Sequence, residues 1–188
     1  MNAKVEIQLP KQLIPFYSAV DVLKAYSLAS EAAVQIRTLV NQISKSTAQI
    51  KAYVQKDSFN EAVFSEIENL ISISNFLLIN QLDVYSIECK KLTEEPYDKY
   101  DAGDLFNVYY LTYENMSWLQ TLLYQIKDEA ETIKQEADKH GIHPAVFANL
   151  ERLIQITEYL ADDKANSYNI DCEKYEIEWK SMGGDKND

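Results

Sequence analysis

Apolar residues recur along this chain at alternating steps of four and three, over stretches long enough to be whole helices. Val22, Tyr26, Ala29, Ala33, Ile36, Val40, Ile43, Thr47, Ile50 and Val54 form one such stripe. Leu105, Tyr109, Thr112, Met116, Leu119, Leu123, Ile126, Ala130, Ile133 and Ala137 form another. That alternation keeps one face of a helix turned toward a neighbour. The first stripe predicts a helix from Phe16 to about Lys56. Ser44 to Thr47 is its weakest stretch, where a kink is expected, because Ser and Thr hydroxyls compete for backbone hydrogen bonds. The second stripe predicts a helix capped by Asp104 and reaching about Lys139.

Two further helices complete the pattern. Ser58 with Glu61 has the form of a capping box and opens a helix from about Phe59 to Leu92. Its seam reads Val63, Ile67, Leu70, Ser74, Leu77, Gln81 and Val84, with other apolar residues around it. The uncharged run Leu70 to Leu82 is therefore expected to be the most buried segment, central and touching more than one neighbour. Ser72, Ser74, Asn75, Asn80 and Gln81 interrupt it, so it reads as core and not as a bilayer span. Pro144 opens the fourth helix, which runs through Leu150, Leu153, Ile156 and Leu160 and continues through Tyr168, Cys172, Tyr175 and Trp179.

Punctuation agrees with period. The chain has only four glycines and four prolines, and they fall between these stretches. Pro96 and Gly103 bracket a loop over 93–103. Gly141 suits the residue just past a helix end, and His140 suits the negative end of the helix dipole. Short alternations at Val5, Ile7 and Leu9, and at Tyr175, Ile177 and Trp179, also fit strands. An extended N-terminal arm and a helical C-terminus are preferred. The fold class is all-α: an elongated antiparallel four-helix bundle with long helices, roughly 40–60 Å end to end. Residues 1–188 form a single helical domain, with 1–15 an extended arm and 181–188 a frayed tail.

Composition narrows the function classes. At 46% hydrophobic and 26% charged, the chain reads as folded and globular. The N-terminus lacks an apolar signal core, and Cys89 and Cys172 lie too far apart for a zinc spacing, so a reduced cytoplasmic protein is expected. The net charge is −12, unevenly spread. Residues 1–56 carry +4, 57–103 carry −7, 104–140 carry −4 and 141–188 carry −5. Most of the surface should repel nucleic acid and anionic membrane and favour a basic partner. Lys24, Arg37, Lys45, Lys51 and Lys56 are dispersed and are expected to pair with carboxylates rather than phosphates.

Catalytic inventories fail one by one. The two histidines, His140 and His143, do not follow a Glu by three, as a di-iron bundle requires. Neither Arg37 nor Arg152 has a histidine five residues on, as helical nucleases of the HEPN kind do. Glu136, His140 and His143 could be a metal trio, but Gly141 breaks the helix between the histidines. No phosphate loop or nucleophile elbow is present. The chain is read as no enzyme, with no cofactor and no metal.

What remains is surface. Glu94, Glu95, Asp98, Asp101 and Asp104 interleave with Tyr97 and Tyr100. A second set gathers Asp162, Asp163, Asp171 and Glu173, with Glu176 and Glu178, near Tyr168, Tyr175 and Trp179. Carboxylates beside exposed tyrosines suit a basic protein surface. The leading expectation is a non-enzymatic inhibitor or neutraliser of a basic nucleic-acid-handling protein, of the phage anti-defence or immunity type. One alternative is a self-associating structural or adaptor bundle, with the polar slots Ser74, Gln81 and Glu88 setting register. The other is a small-molecule sensor.

Overall fold

A computed structural model describes residues 16–54, 59–97 and 99–183. The N-terminal arm, with the alternation at Val5 to Leu9, and the proposed cap at Ser58 lie outside the described residues. The fold is an all-α four-helix bundle. Helix α1 spans Ala19–Val54, α2 Ser65–Glu94, α3 Ala102–Lys139 and α4 Ala148–Ser181. The longest, with 38 residues, runs about 57 Å. Neighbours in sequence pack side by side, α3 and α4 most extensively, and α4 returns to α1 to close the bundle. Helices α1 and α3 also meet across the diagonal.

The two long stripes are the core. Every stripe position of α1 and α3 is buried except Tyr26 and Tyr109, which are half-buried. Helix α1 runs unbroken through Ser44–Thr47. The Thr47 hydroxyl bonds back to the Ile43 carbonyl, and the Ser46 hydroxyl accepts from Asn149 of α4.

The helix starts differ from expectation in three places. Asn60, not Phe59, begins the second segment. Its side chain accepts from the Ala62 amide and opens a short 3-10 turn, Glu61–Phe64, ahead of α2. Asp101, not Asp104, caps α3. Asp101 accepts from the amides of Gly103 and Asp104, while Asp104 accepts from the Asp101 amide, a reciprocal capping box. Pro144 opens a 3-10 turn, Pro144–Phe147, rather than α4 itself, with the Nδ1 of His143 accepting from the Ala145 amide.

The end of α3 is as its composition implies. Gly141 takes φ 79°, and its amide donates to Asp138, while the Ile142 amide reaches back to Ala137. This is the paired closure that a left-handed residue permits. Ile142 is buried against this end of the core, and His140 meets Phe59 edge-on at 5.4 Å.

Helices α2 and α4 keep part of the expected seams and depart from the rest. Along the second seam, Ile67, Leu70, Ser74 and Gln81 are buried as expected, Val63 and Leu77 are half-buried, and Val84 is exposed while Leu78 and Tyr85 are buried instead. In α4 the buried line is Leu150, Ile154, Thr157, Ala161, Ala165, Tyr168 and Cys172, leaving Ile156 exposed and Leu153 and Leu160 half-buried. Ala161 and Ala165 are small residues on this buried line, and α4 packs most extensively on α3. The segment Leu70 to Leu82 is not the most buried part of the chain. Ile73, Phe76 and Ile79 face outward. By length and composition alone the segment Glu61–Glu94 would cross a membrane, but its opposite face packs on α1 and α3.

A polar layer crosses the middle of the core. The Tyr85 hydroxyl lies 3.5 Å from both Thr112 Oγ1 and Asn115 Nδ2. One turn away, Gln81 is buried with neither its amide oxygen nor its nitrogen bonded to protein. Burying an amide without partners costs about 1–3 kcal/mol. Replacing it with an apolar group of similar volume therefore should help. Gln81→Met is expected to raise stability by about 1 kcal/mol, read from denaturant midpoints; a loss of stability would show that the amide is satisfied.

Candidate functional site

The acidic loop after α2 is held by backbone and aromatic contacts at one end of the bundle. Tyr17 and Tyr100 form an isolated antiparallel bridge, with amide-to-carbonyl distances of 2.8 and 3.1 Å. This ties the entry of α1 to the entry of α3. The Tyr17 hydroxyl donates to the Glu178 carboxylate at 2.8 Å, and its ring meets Tyr175 edge-on. Tyr175 stacks on Tyr109, and Trp179 stacks on Phe106. Gly103 admits this arrangement, since a Cβ there would sit 2.8 Å from the Trp179 indole nitrogen. The C-terminal alternation at Tyr175 to Trp179 is thus helical, and this aromatic layer needs it to be.

The structure separates the first candidate set. Glu94 is exposed at the end of α2, 3.9 Å from Lys90. Asp98 lies outside the described residues. Asp101 and Asp104 are engaged in the capping box. Tyr97 is 77% exposed, whereas Tyr100 is buried, contrary to the expectation of an exposed ring. The Tyr100 hydroxyl accepts from the Tyr97 amide at 3.0 Å, which fixes the loop.

Four of these residues nevertheless meet. Glu95, Tyr97, Tyr100 and Asp104 line one groove of about 360 Å³ between α1, α2 and α3. Tyr26, Glu88, Lys91 and Asn107 complete its polar wall, over an apolar floor that includes Val22 and Val108. Lys91 pairs with Glu88. The Tyr26 hydroxyl is pushed up to about 12, first by burial and then by Glu88, Tyr85, Cys89 and Asp104. Burial likewise raises the Cys89 thiol, which keeps it protonated and a poor nucleophile.

The second candidate set does not converge. Asp162 accepts from Gln120 of α3 at 2.7 Å, and Asp163 sits beside Lys164. Glu173 accepts from Asn169 on the outer face of α4. Asp171 is half-buried in a small separate depression of about 120 Å³ with Glu31, Lys164, Tyr109 and Tyr168. Tyr168 is buried, and its hydroxyl donates to the Leu28 carbonyl. A groove of about 310 Å³ between α3 and α4 carries charge that is internally paired: Lys127 with Glu158, and Lys134 with Glu131 and Glu151. Of the five dispersed cations of the first segment, Lys51 pairs with Glu68 as expected.

Sequence reasoning missed Tyr26, Lys91 and Asn107 as groove residues. Tyr26 carried a signal: it is the one aromatic residue on the α1 stripe, at the end where the acidic loop returns. Among the described residues no three His, Cys, Asp or Glu side chains gather closely enough to hold a metal ion.

Two outcomes follow from this geometry. Asp101→Ala removes the cap and should lower stability by about 1 kcal/mol in thermal unfolding, showing that this carboxylate serves the helix; an unchanged stability would free it for binding. Tyr26 and Tyr109 are both pushed up to about 12 from 10, and Tyr17, Tyr85 and Tyr168 are also raised. The native state holds these protons more tightly than the unfolded chain. The tyrosine contribution to stability should therefore be level below pH 10 and fall as pH rises from 10 through 12. Tyrosinate absorbance should appear in two steps, the exposed rings first and the buried rings together with loss of helicity. A single ordinary titration near pH 10 in a still-folded protein would refute the assignment. No known protein family matches this chain, and no curated protein or solved structure is similar to it.

Proposed function

We propose that the protein is a non-enzymatic interaction module that grips a basic segment of a partner protein in the groove between α1, α2 and α3. The observation carrying this reading is the meeting of Glu88, Glu95 and Asp104 with Tyr26, Tyr97 and Tyr100 around one concave surface. A lysine or arginine side chain fits such a wall on two counts. Its alkyl stem packs against tyrosine rings while its charge reaches the carboxylates. Lys91, already paired with Glu88, supplies a cation that an incoming guanidinium would displace. The net charge of −12 steers basic partners toward the protein and disfavours phosphate.

A partner whose basic surface normally carries nucleic acid matches this chemistry, and occupying that surface would neutralise it. The test is capture from lysate at low and high salt together with direct titration of a labelled oligo-arginine peptide. Binding should weaken steeply with salt. Glu88→Gln with Glu95→Gln should weaken the peptide roughly tenfold, since both carboxylates are partly solvated. Peptide binding indifferent to both substitutions would remove the groove as the site.

A further inference from the structure

The outer face of α2 is the largest unexplained feature of the surface. Ile73 is 48% exposed, Phe76 63%, Ile79 39%, Val84 41% and Ile87 53%. Side chains of this size leave on the order of 500 Å² of apolar surface, at the upper end of what a monomer carries in one patch. The groove reading does not use this face.

We propose that a second copy of this chain covers it, through an antiparallel α2–α2 contact with its two-fold axis at Asn80. The order of residues along the face carries the argument. Counting from Asn80, the outward positions are Phe76 and Val84 at four residues either way, and Ile73 and Ile87 at seven. A symmetric interface sets residue i of one copy against j of the other and j against i. A stripe that reads the same in both directions along an antiparallel axis meets that demand. Ile73 faces Ile87 of the second copy, Phe76 faces Val84, and Asn80 faces itself. Two asparagine amides can exchange hydrogen bonds across the axis, and a buried Asn pair sets register at some cost in stability.

Charge agrees. The stripe from Asn69 to Ile87 holds no charge except Asp83 at its edge, so the acidity of each copy lies away from the contact. At its ends the same register sets exposed Glu66 of one copy opposite Glu94 of the other, a like-charge pair outside the apolar stretch that Lys90, 3.9 Å from Glu94 in its own chain, offsets. Area agrees as well. Two patches supply on the order of 1,000 Å² of apolar surface, and at the roughly 60% apolar share of ordinary interfaces this corresponds to about 1,600 Å² in total, the standard size for a specific pair.

The test combines mass with proximity. Sedimentation of the full chain across micromolar concentrations should show a dimer that Phe76→Asp dissociates, weakening association at least about 100-fold while circular dichroism stays unchanged. Phe76 is exposed in the monomer, so its substitution does not test folding. Asn80→Cys should give a disulfide-linked dimer under mild oxidation, because the axis places that position against itself, whereas Ser86→Cys, off the stripe on the same helix, should not. A wild-type chain that stays monomeric at 100 micromolar overturns the proposal. So does a dimer that Phe76→Asp leaves intact. Monomers that float with phosphatidylcholine–phosphatidylglycerol vesicles through Phe76 would assign the stripe to a membrane instead and equally overturn it.

Discussion

A four-helix bundle has one core, and each helix can turn only one stripe of side chains into it. That constraint orders the whole molecule. Helices α1 and α3 carry one apolar stripe each, so their inward faces are unambiguous and they meet across the diagonal. Helix α4 carries small residues on its stripe, Ala161 and Ala165 among them, and packs most extensively on α3. Helix α2 has more apolar surface than one stripe can bury. Its inward face takes Leu78 and Tyr85, and the surplus must face outward. The exposed Ile73, Phe76 and Ile87 are thus a consequence of composition meeting geometry, and not a local defect of packing.

The two ends of the bundle are closed in different ways. At the end holding the α1–α2 turn, Phe59, Phe64, Ile142 and Phe147 form an apolar plug beside His140. At the other end, tyrosines do the work, through the Tyr17–Tyr100 bridge and the stacked Tyr109 and Tyr175. Tyrosine suits an end position because the ring is buried while the hydroxyl finds a polar partner, here Glu178 for Tyr17. The same arrangement creates the groove. With Tyr100 buried and its hydroxyl accepting from the Tyr97 amide, Glu95 and Tyr97 line one groove with Tyr26 and Glu88. Part of the local acidity is structural in origin, since Asp101 and Asp104 satisfy amides at the start of α3.

The helices and the cores of α1 and α3 were legible because a sustained alternation of four and three fits little besides a helix lying along a neighbour. The faces of α2 and α4 were legible only in part, and the reason is physical. Leu153, Ile156 and Leu160 outweigh Ala161 and Ala165 on any scale of hydrophobicity, yet closeness of approach favours the small residues. Val84 outweighs Tyr85 in the same way, yet the Tyr85 hydroxyl donates to Thr112 and accepts from Asn115. The capping of α3 was ambiguous because Asp101 and Asp104 both have capping chemistry, and only the loop's path decides which comes first. The candidate site was half legible: the acidic loop marks the place, but the convergence with Tyr26, Lys91 and Asn107 depends on three helices meeting. The second acidic set failed because α4 is helical throughout this stretch, so charges close in sequence point to different faces.

The two proposed surfaces constrain each other. Along α2 and its C-cap the groove runs from Glu88 to Glu95, with Lys91 at its middle, eleven residues beyond Asn80, or about 16 Å along the α2 axis. An antiparallel pair centred on Asn80 therefore carries two grooves roughly 30 Å apart, one at each end of the shared helix pair. A bivalent binder gains from that spacing only when its partner presents two basic segments at a matching distance, as a symmetric protein or a repeated array does. Partners with one segment gain nothing from the second groove. Dimerisation would thus act as a filter on partners as well as a cover for apolar surface, and the long uncharged face of α2 would be kept because it fixes the separation of the grooves.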